Sequence, residues 1–279
     1  MRVHKVILEH PYDTAIIPAI TPNVFVVGQM YPVAYQFLEG MHMKTRMYVD
    51  GFNLFNRILK GRGPGYKWID LPALGEHISA EPIDLVRYFS ASIRKHSNIS
   101  LLDYNEKRAN QQALFNAYRL DPRIELHMGL FQVKDKSGML VNKYTRKPLG
   151  LCSSLPKLFT GCIAAKGVAT IQAFEEKKTD VNIASYLLKD AYEGNVDLAI
   201  VVSNDSDLYE PLRICKEDLG IKVIAVNPVS ANMRKHARRN QLIGAASQCY
   251  ELRPGIIKKH QMTSIIRYSK SMMQKPKSW

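Results

Sequence analysis

A chain of 279 residues, 46% of them hydrophobic, is long enough to bury one large core or two small ones. Its 39 lysines and arginines outnumber 25 acidic residues, and the net charge of +14 favours a polyanionic partner, either nucleic acid or an anionic membrane. The four cysteines form no CxxC pair and the eight histidines no HxxxH pair, so the sequence indicates no zinc site, disulfide framework or zincin protease. Isolated thiols are typical of a reducing compartment, and we expect a cytoplasmic protein.

Residues 1–42 differ in character from the rest of the chain. Residues 14–38 carry no charge, but three prolines interrupt them, and a membrane-spanning helix needs about 20 mainly apolar residues. Acidic residues and a proline also break the hydrophobic region of a signal peptide. The segment is therefore either an extension that packs on the main domain or sequence upstream of the natural start. Met41 and Met43, just before the first core strand, favour the second reading. We expect this segment to be non-native or poorly ordered, and no membrane partner.

Alternating strand and helix patterns follow between residues 43 and 133. The predicted elements are strands 46–50, 83–91 and 124–133 and helices 54–59 and 103–119. The glycine-rich run 61–65 neither follows a strand nor opens a helix, so it is not a dinucleotide-binding loop. This order favours an α/β fold with a doubly wound, mainly parallel sheet.

Residues 134–173 are the least regular part of the chain, with seven basic residues and few acids. A loop of this length without structure is unusual in a compact domain. We expect a mobile insertion near the functional site, which either guides a polyanion or is a solvated surface loop.

The most informative stretch is a strand–helix–strand unit. Residues 198–202 are an uninterrupted apolar run, typical of a strand buried on both faces of a parallel sheet. The polar run Ser203-Asn204-Asp205-Ser206-Asp207 follows, then a helical pattern that Gly220 closes, then a strand over 221–226. In open α/β sheets, ligands bind at the carboxyl ends of such strands.

Acidic residues stand at the carboxyl ends of two predicted strands. Asp50 ends the first strand, and Asp205 and Asp207 follow the strand 198–202. If these strands are neighbours, the three carboxylates converge. Asp180, just before the predicted helix 181–192, is a further candidate. Helix capping or turn formation is the alternative role for each of them.

Several carboxylates in one small site repel each other, so either some are protonated or a cation lies among them. Hard oxygen ligands suit Mg²⁺ or Mn²⁺. We therefore expect Asp50, Asp180, Asp205 and Asp207 to be metal ligands, and Asn53 to orient a ligand or a water molecule. Glu176 is a weaker candidate ligand, and Ser203 is a candidate hydrogen-bond donor to the ligands.

The last part of the chain, residues 230–279, reads as a basic extension. Residues 234–239 predict a basic helical face, and residues 258–277 are also basic. Tyr268 and Trp279 are candidate stacking groups for RNA bases, while solvated surface is the alternative for the charges.

Three blocks of this sequence resemble the NYN domain family, which is related to the PIN-like nucleases. They are YVDGFN, EEKKTDVNIASYLL and VVSNDSDLYEPLRICKEDLGIKVIAVNP. The resemblance spans roughly residues 43–279, and it implies one α/β domain over 43–229 whose first strand is central and adjacent to the strand 198–202. It also implies that Asp50, Asp180, Asp205 and Asp207 match the acidic positions of the family. Two departures are Asn204, where many members have glycine, and Tyr186, where many have another acid that would serve a second metal.

The resemblance implies a metal-dependent nuclease, most simply a ribonuclease with RNA as its partner. A non-catalytic RNA-binding module is one alternative. Another is an NADH-dependent monooxygenase of a succinylated hydroxypyridine in nicotine breakdown, because some proteins similar to this family are recorded with that activity. The residues themselves offer this last reading little support, since no GxGxxG follows a strand and no cysteine or histidine cluster could hold redox iron.

Overall fold

The computed structural model describes residues 5–10, 13–18, 42–95, 100–139, 168–230, 239–268 and 271–279. Its chain divides into two compact units, Met1–His42 and Met43–Trp279. Most of the predicted insertion and the predicted basic face at 234–238 lie outside the described residues. Side chains are described from residue 42 onward, apart from 131–139, 168–177 and a few others.

Twelve strands occur in the described ranges. They are β1 Lys5–His10, β2 Asp13–Pro18, β3 Thr45–Asp50, β4 Leu85–Ser90, β5 Ile124–Met128, β6 Leu130–Met139, β7 Val168–Lys177, β8 Leu198–Val202, β9 Lys222–Pro228, β10 Gln248–Leu252, β11 Ile265–Tyr268 and β12 Ser271–Gln274. In the first unit, β1 and β2 pair as an antiparallel hairpin.

The helices of the second unit alternate with its main strands. They are α1 Gly51–Leu54, which continues as the π-helical turn Phe55–Leu59; α2 Leu71–Ser79; α3 Leu101–Tyr118; α4 Thr179–Tyr192; α5 Tyr209–Arg213, which a 3-10 turn Ser206–Leu208 precedes and a π-helical turn Ile214–Asp218 follows; and α6 Pro254–Lys259. Gly220, with a φ of +69°, ends the helical segment before β9 as the sequence predicts. None of the helices that the structure describes combines the length and apolar character needed to cross a membrane.

Six parallel strands form the main sheet, in the order β10-β9-β8-β3-β4-β5. This confirms the predicted doubly wound α/β fold with its first core strand in a central position. From β3 the chain winds outward through β4 and β5, and it later returns to β8 on the other side of β3. The switch point of the topology therefore lies between β3 and β8, where an open sheet leaves a crevice at its carboxyl edge.

The predicted third strand, 124–133, is extended throughout except at Gly129, but it is two strands that belong to different sheets. The main-sheet strand β5 ends at Met128, and the Gly129 N–H donates to the Ser90 carbonyl 2.7 Å away. Residues 130–139 then leave the sheet and pair antiparallel with 168–177. Both ends of the predicted irregular insertion are thus the arms of a two-stranded ribbon. A continuous apolar pattern across Gly129 concealed the point where pairing changes partner.

Two hydrophobic clusters cover the two faces of the main sheet. Met47 and Val49 of β3 point into the first, together with side chains of α1, α2 and α3. Tyr48 and the intervening side chains of the neighbouring strands point into the second, together with α4 and α5. Successive side chains of each strand therefore point alternately into the two clusters, as the continuous apolar run of β8 predicts for a strand buried on both faces.

A buried charge network fastens α4 to the sheet. Asp190, 1% exposed, accepts hydrogen bonds from Tyr48 Oη at 2.7 Å and from Arg87 Nε at 2.8 Å, and it forms an ion pair with Arg46 Nη1 at 2.7 Å. Burial raises the pKa of Asp190, but the hydrogen bonds from Arg87, Tyr48 and Arg46 outweigh it and hold the pKa below its usual range. Because α4 also begins beside the carboxyl edge of the sheet, this network fixes the helix that carries Asp180.

The C-terminal residues pack on the domain. β10 is the edge strand of the main sheet. Trp68 Nε1 donates to the Thr263 carbonyl at 2.9 Å, and the Gly65 N–H donates to the Trp279 carbonyl at 2.6 Å. The Trp279 ring, expected as a stacking group for RNA, is partly buried against the core, with Lys67 Nζ 5.8 Å from its centroid. The Tyr268 side chain lies outside the described residues.

Removal of residues 1–42 is predicted to leave residues 43–279 folded. The boundary of the two units falls before Thr45, the first buried residue of β3. We expect a cooperative thermal transition shifted by less than about 2 °C. As a control, removal of residues 1–50 deletes the central strand and should abolish cooperative unfolding. Loss of cooperativity in the shorter truncation would show that the first unit is part of the core.

Replacement of Asp190 by asparagine is predicted to lower the free energy of unfolding by about 3–5 kcal/mol at neutral pH, because Arg46 and Arg87 lose their buried counter-charge. The pKa of Asp190 is depressed in the folded state, so its contribution is present above 3.8 and is lost as the pH falls through the folded pKa. The difference between the two proteins in urea titrations should therefore narrow below about pH 4.

The matched control is Glu193→Gln at the C-cap of the same helix, an exposed carboxylate that contacts only the exposed side chains of Lys189 and Asn195 among the described residues, and its loss should cost about 0.5 kcal/mol or less. Equal effects of the two substitutions would contradict a structural role for the buried network.

Candidate carboxylate site at the switch point

Asp50 lies at the carboxyl end of the central strand and is 4% exposed. Its Oδ1 accepts a hydrogen bond from the Asn53 N–H at 2.8 Å, so Asp50 is the N-cap of α1. Its Oδ2 accepts from Ser203 Oγ at 2.9 Å. Ser203 directly follows β8, so this second bond joins the ends of the two strands that flank the switch point. The expected hydrogen-bond role of Ser203 thus has a specific partner.

The surroundings of Asp50 disfavour the ionised form of its carboxyl group relative to the protonated form. Burial raises its pKa from 3.8 to about 6, although the hydrogen bonds from Asn53 and Ser203 act in the opposite direction. The negative charges of Asp180 and Asp205 add to the increase. Two hydrogen bonds from neutral donors therefore do not compensate the loss of water around this group.

Asp180 approaches the same site from α4. It lies in the first turn of the helix, two residues after the N-cap Lys178, whose φ of +79° is a left-handed conformation that non-glycine residues rarely adopt. Although Asp180 is among the exposed residues, partial desolvation raises the pKa of its carboxylate, and the charges of Asp205 and Asp207 raise it further. The side chain of Glu176 lies outside the described set.

Asp205 and Asp207 complete the group on the loop after β8. Asp205 caps the 3-10 turn that follows, because its Oδ1 accepts from the Asp207 N–H at 3.0 Å. The Asp205 N–H in turn donates to Ser203 Oγ at 3.2 Å. The capping role considered for Asp205 is therefore real, but it uses one oxygen and leaves the other available. Asp207 lies in the first turn and is exposed.

The four predicted aspartates are therefore brought together from three separate parts of the chain. Asp50 interacts electrostatically with Asp180 and Asp205, and Asp180 interacts with Asp205 and Asp207. This is a cluster of like charges at one end of the crevice, which is where the sequence places it. Their roles as ligands remain a prediction.

Asn53 and Asn204 connect the two sides of the crevice. Asn53 Oδ1 accepts from the Asn204 N–H at 3.3 Å, so Asn53 holds the loop after β8 and keeps its NH₂ group for other partners. Asn204 Nδ2 donates to the Arg239 carbonyl at 3.1 Å, and Asn204 Oδ1 accepts from the Gln241 N–H at 2.8 Å. Sequence reasoning treated Asn204 only as a departure from glycine. Its tethering of residues 239–241 had no local signal, because the partners lie more than 30 residues away.

The chemistry of this donor set fits a hard divalent cation. Carboxylate oxygens are the ligands that Mg²⁺ and Mn²⁺ prefer. Burial is the main cause of the raised pKa values of Asp50 and Asp180, and the neighbouring carboxylates, whose charge a cation would neutralise, raise them further. In the part of the chain whose side chains the structure describes, no three Asp, Glu, His or Cys side chains are arranged closely enough to hold a metal ion as they stand. The four aspartates therefore suit a divalent cation in the type of their donor atoms and in their charge.

Tyr186 adds no carboxylate to this set. The centroid of its ring lies 4.1 Å from the centroid of the His127 ring and 4.8 Å from Arg87 Cζ. An aromatic contact with the end of β5 thus occupies the position at which the family resemblance implies an acid. The negative charge available for a second cation is smaller accordingly.

Comparison with known proteins gives one curated relative and one solved structure of interest. The chain is 26% identical over 263 residues to 6-hydroxy-3-succinoylpyridine 3-monooxygenase from Pseudomonas putida (strain DSM 28022 / S16), an alignment that covers 87% of this chain and 77% of that protein. The crystal structure of a protein of unknown function from Vibrio parahaemolyticus RIMD 2210633 is 14% identical, with a TM-score of 0.41, and covers 76% of this chain and 94% of that one.

A family match covers three of the four aspartates of the site. The profile of the NYN domain matches residues 152–252, a range that includes Asp180, Asp205 and Asp207. Asp50 and Asn53 precede the matched range, although the fold brings both of them against it. The segment of this chain that contains β7 to β10 is therefore similar to the NYN domain.

Proposed function

We propose that this protein is a metal-dependent ribonuclease that hydrolyses phosphodiester bonds at the carboxylate cluster of Asp50, Asp180, Asp205 and Asp207. The observation that carries the proposal is the convergence of these aspartates at the switch point, with the pKa of Asp50 raised to about 6 and that of Asp180 also raised. Perturbed carboxylates in a crevice are typical of functional sites. The NYN domain supports a nucleic-acid substrate, and the net charge of +14 favours one.

The cation would be held by the four aspartates, and it would supply Lewis-acid stabilisation of the charge that develops on the phosphate. The chain's own groups set the geometry. Asn53 N–H and Ser203 Oγ hold Asp50 in one orientation, and Ser203 also fixes the start of the loop that carries Asp205. The NH₂ group of Asn53 would orient a water molecule or a phosphate oxygen, while its carbonyl oxygen accepts from the Asn204 N–H.

A second candidate function is an NADH-dependent monooxygenase acting on a succinylated hydroxypyridine. The observation that favours it is the relative from Pseudomonas putida, which matches 87% of this chain and is named as a 3-monooxygenase of 6-hydroxy-3-succinoylpyridine. At 26% identity the likeness extends over the whole domain but leaves the substrate open. NADH consumption in the presence of 6-hydroxy-3-succinoylpyridine, without RNA cleavage, would favour this function over the first. A non-catalytic RNA-binding module would instead bind RNA and leave it intact with or without EDTA.

Replacement of Asp205 by asparagine is predicted to lower metal-dependent RNA cleavage about 100-fold or more, because several kcal/mol of charge stabilisation depend on the ligand set. Asparagine still caps the 3-10 turn, so the fold is retained. In EDTA the melting temperature should stay the same or rise, since a repulsive charge is removed. With Mg²⁺ or Mn²⁺ present, the wild type should gain more stability than the variant.

The control for this substitution is Asp218→Asn, an exposed carboxylate on the same helical segment but remote from the site. It should leave both cleavage and the metal-dependent rise in melting temperature unchanged. If Asp205→Asn loses the same stability with and without metal, Asp205 is a structural cap and the proposed site is wrong.

RNA binding is predicted to weaken steeply with salt, because lysine and arginine contacts to phosphate release counterions. For single-stranded RNA in EDTA, where no cleavage occurs, we expect the dissociation constant to rise about tenfold or more between roughly 50 and 200 mM salt. Fluorescence anisotropy with a labelled oligonucleotide measures this slope. Salt-independent binding, or none at low salt, would contradict a nucleic-acid substrate.

A further inference from the structure

Two phenylalanines are exposed beside the carboxylate cluster. Phe52 is 44% exposed and Phe55 is 41% exposed, whereas Phe89 and Phe115, the other phenylalanines with described side chains, are 0% and 3% exposed. Burying a phenylalanine side chain is worth about 1.5–3 kcal/mol, and this fold leaves much of that unused at both positions. The placement of the two rings therefore calls for a role outside the core.

Both rings belong to the helical turn that Asp50 caps. Phe52 is two residues and Phe55 five residues beyond Asp50, and a spacing of three places the two side chains side by side on one helical face. Leu54 and Ile58, on the other face, are 1% and 2% exposed and anchor the helix in the core. Asn53, between the two phenylalanines in sequence, contacts Asn204 across the crevice. The aromatic pair is thus mounted on a rigid element at the rim of the carboxylate site.

We propose that Phe52 and Phe55 form a stacking surface for unpaired bases of the RNA strand whose phosphate lies at the carboxylate cluster. This inference rests on the ribonuclease function proposed above. Base stacking on aromatic side chains is a common means of holding single strands and tolerates any base sequence. In a duplex, by contrast, the base faces are already stacked and are not accessible to side chains.

The charge balance of the site supports this occupant. The rim next to the phenylalanines is acidic, so without a cation it repels a phosphate backbone and offers it no electrostatic attraction. Whatever affinity the metal-free site has for RNA therefore has to come from uncharged contacts, which bases can make and phosphates cannot. Two adjacent rings suit neighbouring nucleotides, so stacking would fix the register of the strand relative to Asp50.

The test compares Phe52→Leu, Phe55→Leu and the double variant with the wild type. Leucine keeps an apolar side chain on the helix and removes the ring. With a single-stranded oligouridylate and Mn²⁺, we expect KM to rise about tenfold for each ring, in line with the usual cost of losing one stacked base, while kcat changes much less. Phe52→Trp should restore a KM close to that of the wild type. Tyr192→Leu is the matched control, an aromatic residue 70% exposed at the far end of α4.

Two further probes separate stacking from general damage. An abasic ribose-phosphate oligomer of the same length should bind the wild type and the double variant equally, because it has no bases to stack. A duplex of the same sequence should be a poor substrate for all of the proteins. Thermal melting in EDTA checks that each variant is folded.

The outcomes distinguish this inference from the function on which it rests. If the wild type cleaves oligouridylate with Mn²⁺ and the leucine variants keep its KM, the stacking surface is refuted and the ribonuclease proposal stands. If the variants lose affinity equally for the abasic oligomer, the rings act on the structure of the site and the inference is again refuted. If the wild type neither binds nor cleaves RNA, both proposals fail together.

Discussion

The burial of one carboxylate, Asp50, is the constraint on which the functional edge of this protein depends. Asp50 ends the central strand of the sheet, so the fold places it at the point where the chain winds in opposite directions. Its two hydrogen bonds come from a backbone N–H and a serine hydroxyl. Neutral donors of this kind orient a carboxylate but leave its charge uncompensated, which is why its pKa rises to about 6.

Asp190, on the same face of the sheet, is a buried carboxylate whose negative charge is compensated. It is as deeply buried as Asp50, at 1% against 4% exposure, yet its pKa is lowered because Arg46 and Arg87 supply two positive charges. The protein therefore has the means to neutralise a buried aspartate, and it uses them at the far end of α4. At the near end of α4 it gathers further aspartates around Asp50. The contrast separates a carboxylate whose charge is neutralised within the fold from a group of carboxylates whose charge has no such partner, which is the property that the proposed cation site requires.

The sequence was sufficient to predict the parts of the site that depend on local pattern. A buried parallel strand has a recognisable apolar run, and an acid at its end is visible in the sequence, so Asp50, Asp205 and Asp207 could be placed at one edge. Other features depend on contacts between distant residues. The pairing of β6 with β7, the tether from Asn204 to residues 239–241, and the ion pairs of Asp190 with strands β3 and β4 join residues about 30 to 145 positions apart. No periodicity in the sequence encodes such partners.

Trp279 is a residue whose sequence context predicts a role in RNA binding that its contacts in the fold do not support. A tryptophan at the end of a basic segment has the composition of an RNA-stacking group, but its backbone and ring are engaged by Gly65 and Lys67. Phe52 and Phe55, in contrast, occur in a stretch whose pattern predicts only a short helix, and their exposure becomes visible once the fold is known.

The chain as a whole is positive, whereas the crevice at the switch point is negative. Long-range attraction of a polyanion and its local repulsion are therefore separated in space, and a cation among the aspartates is the simplest way to reconcile them. On this electrostatic ground, the arrangement of the four carboxylates predicts that the proposed hydrolysis of any phosphate substrate depends on a metal ion.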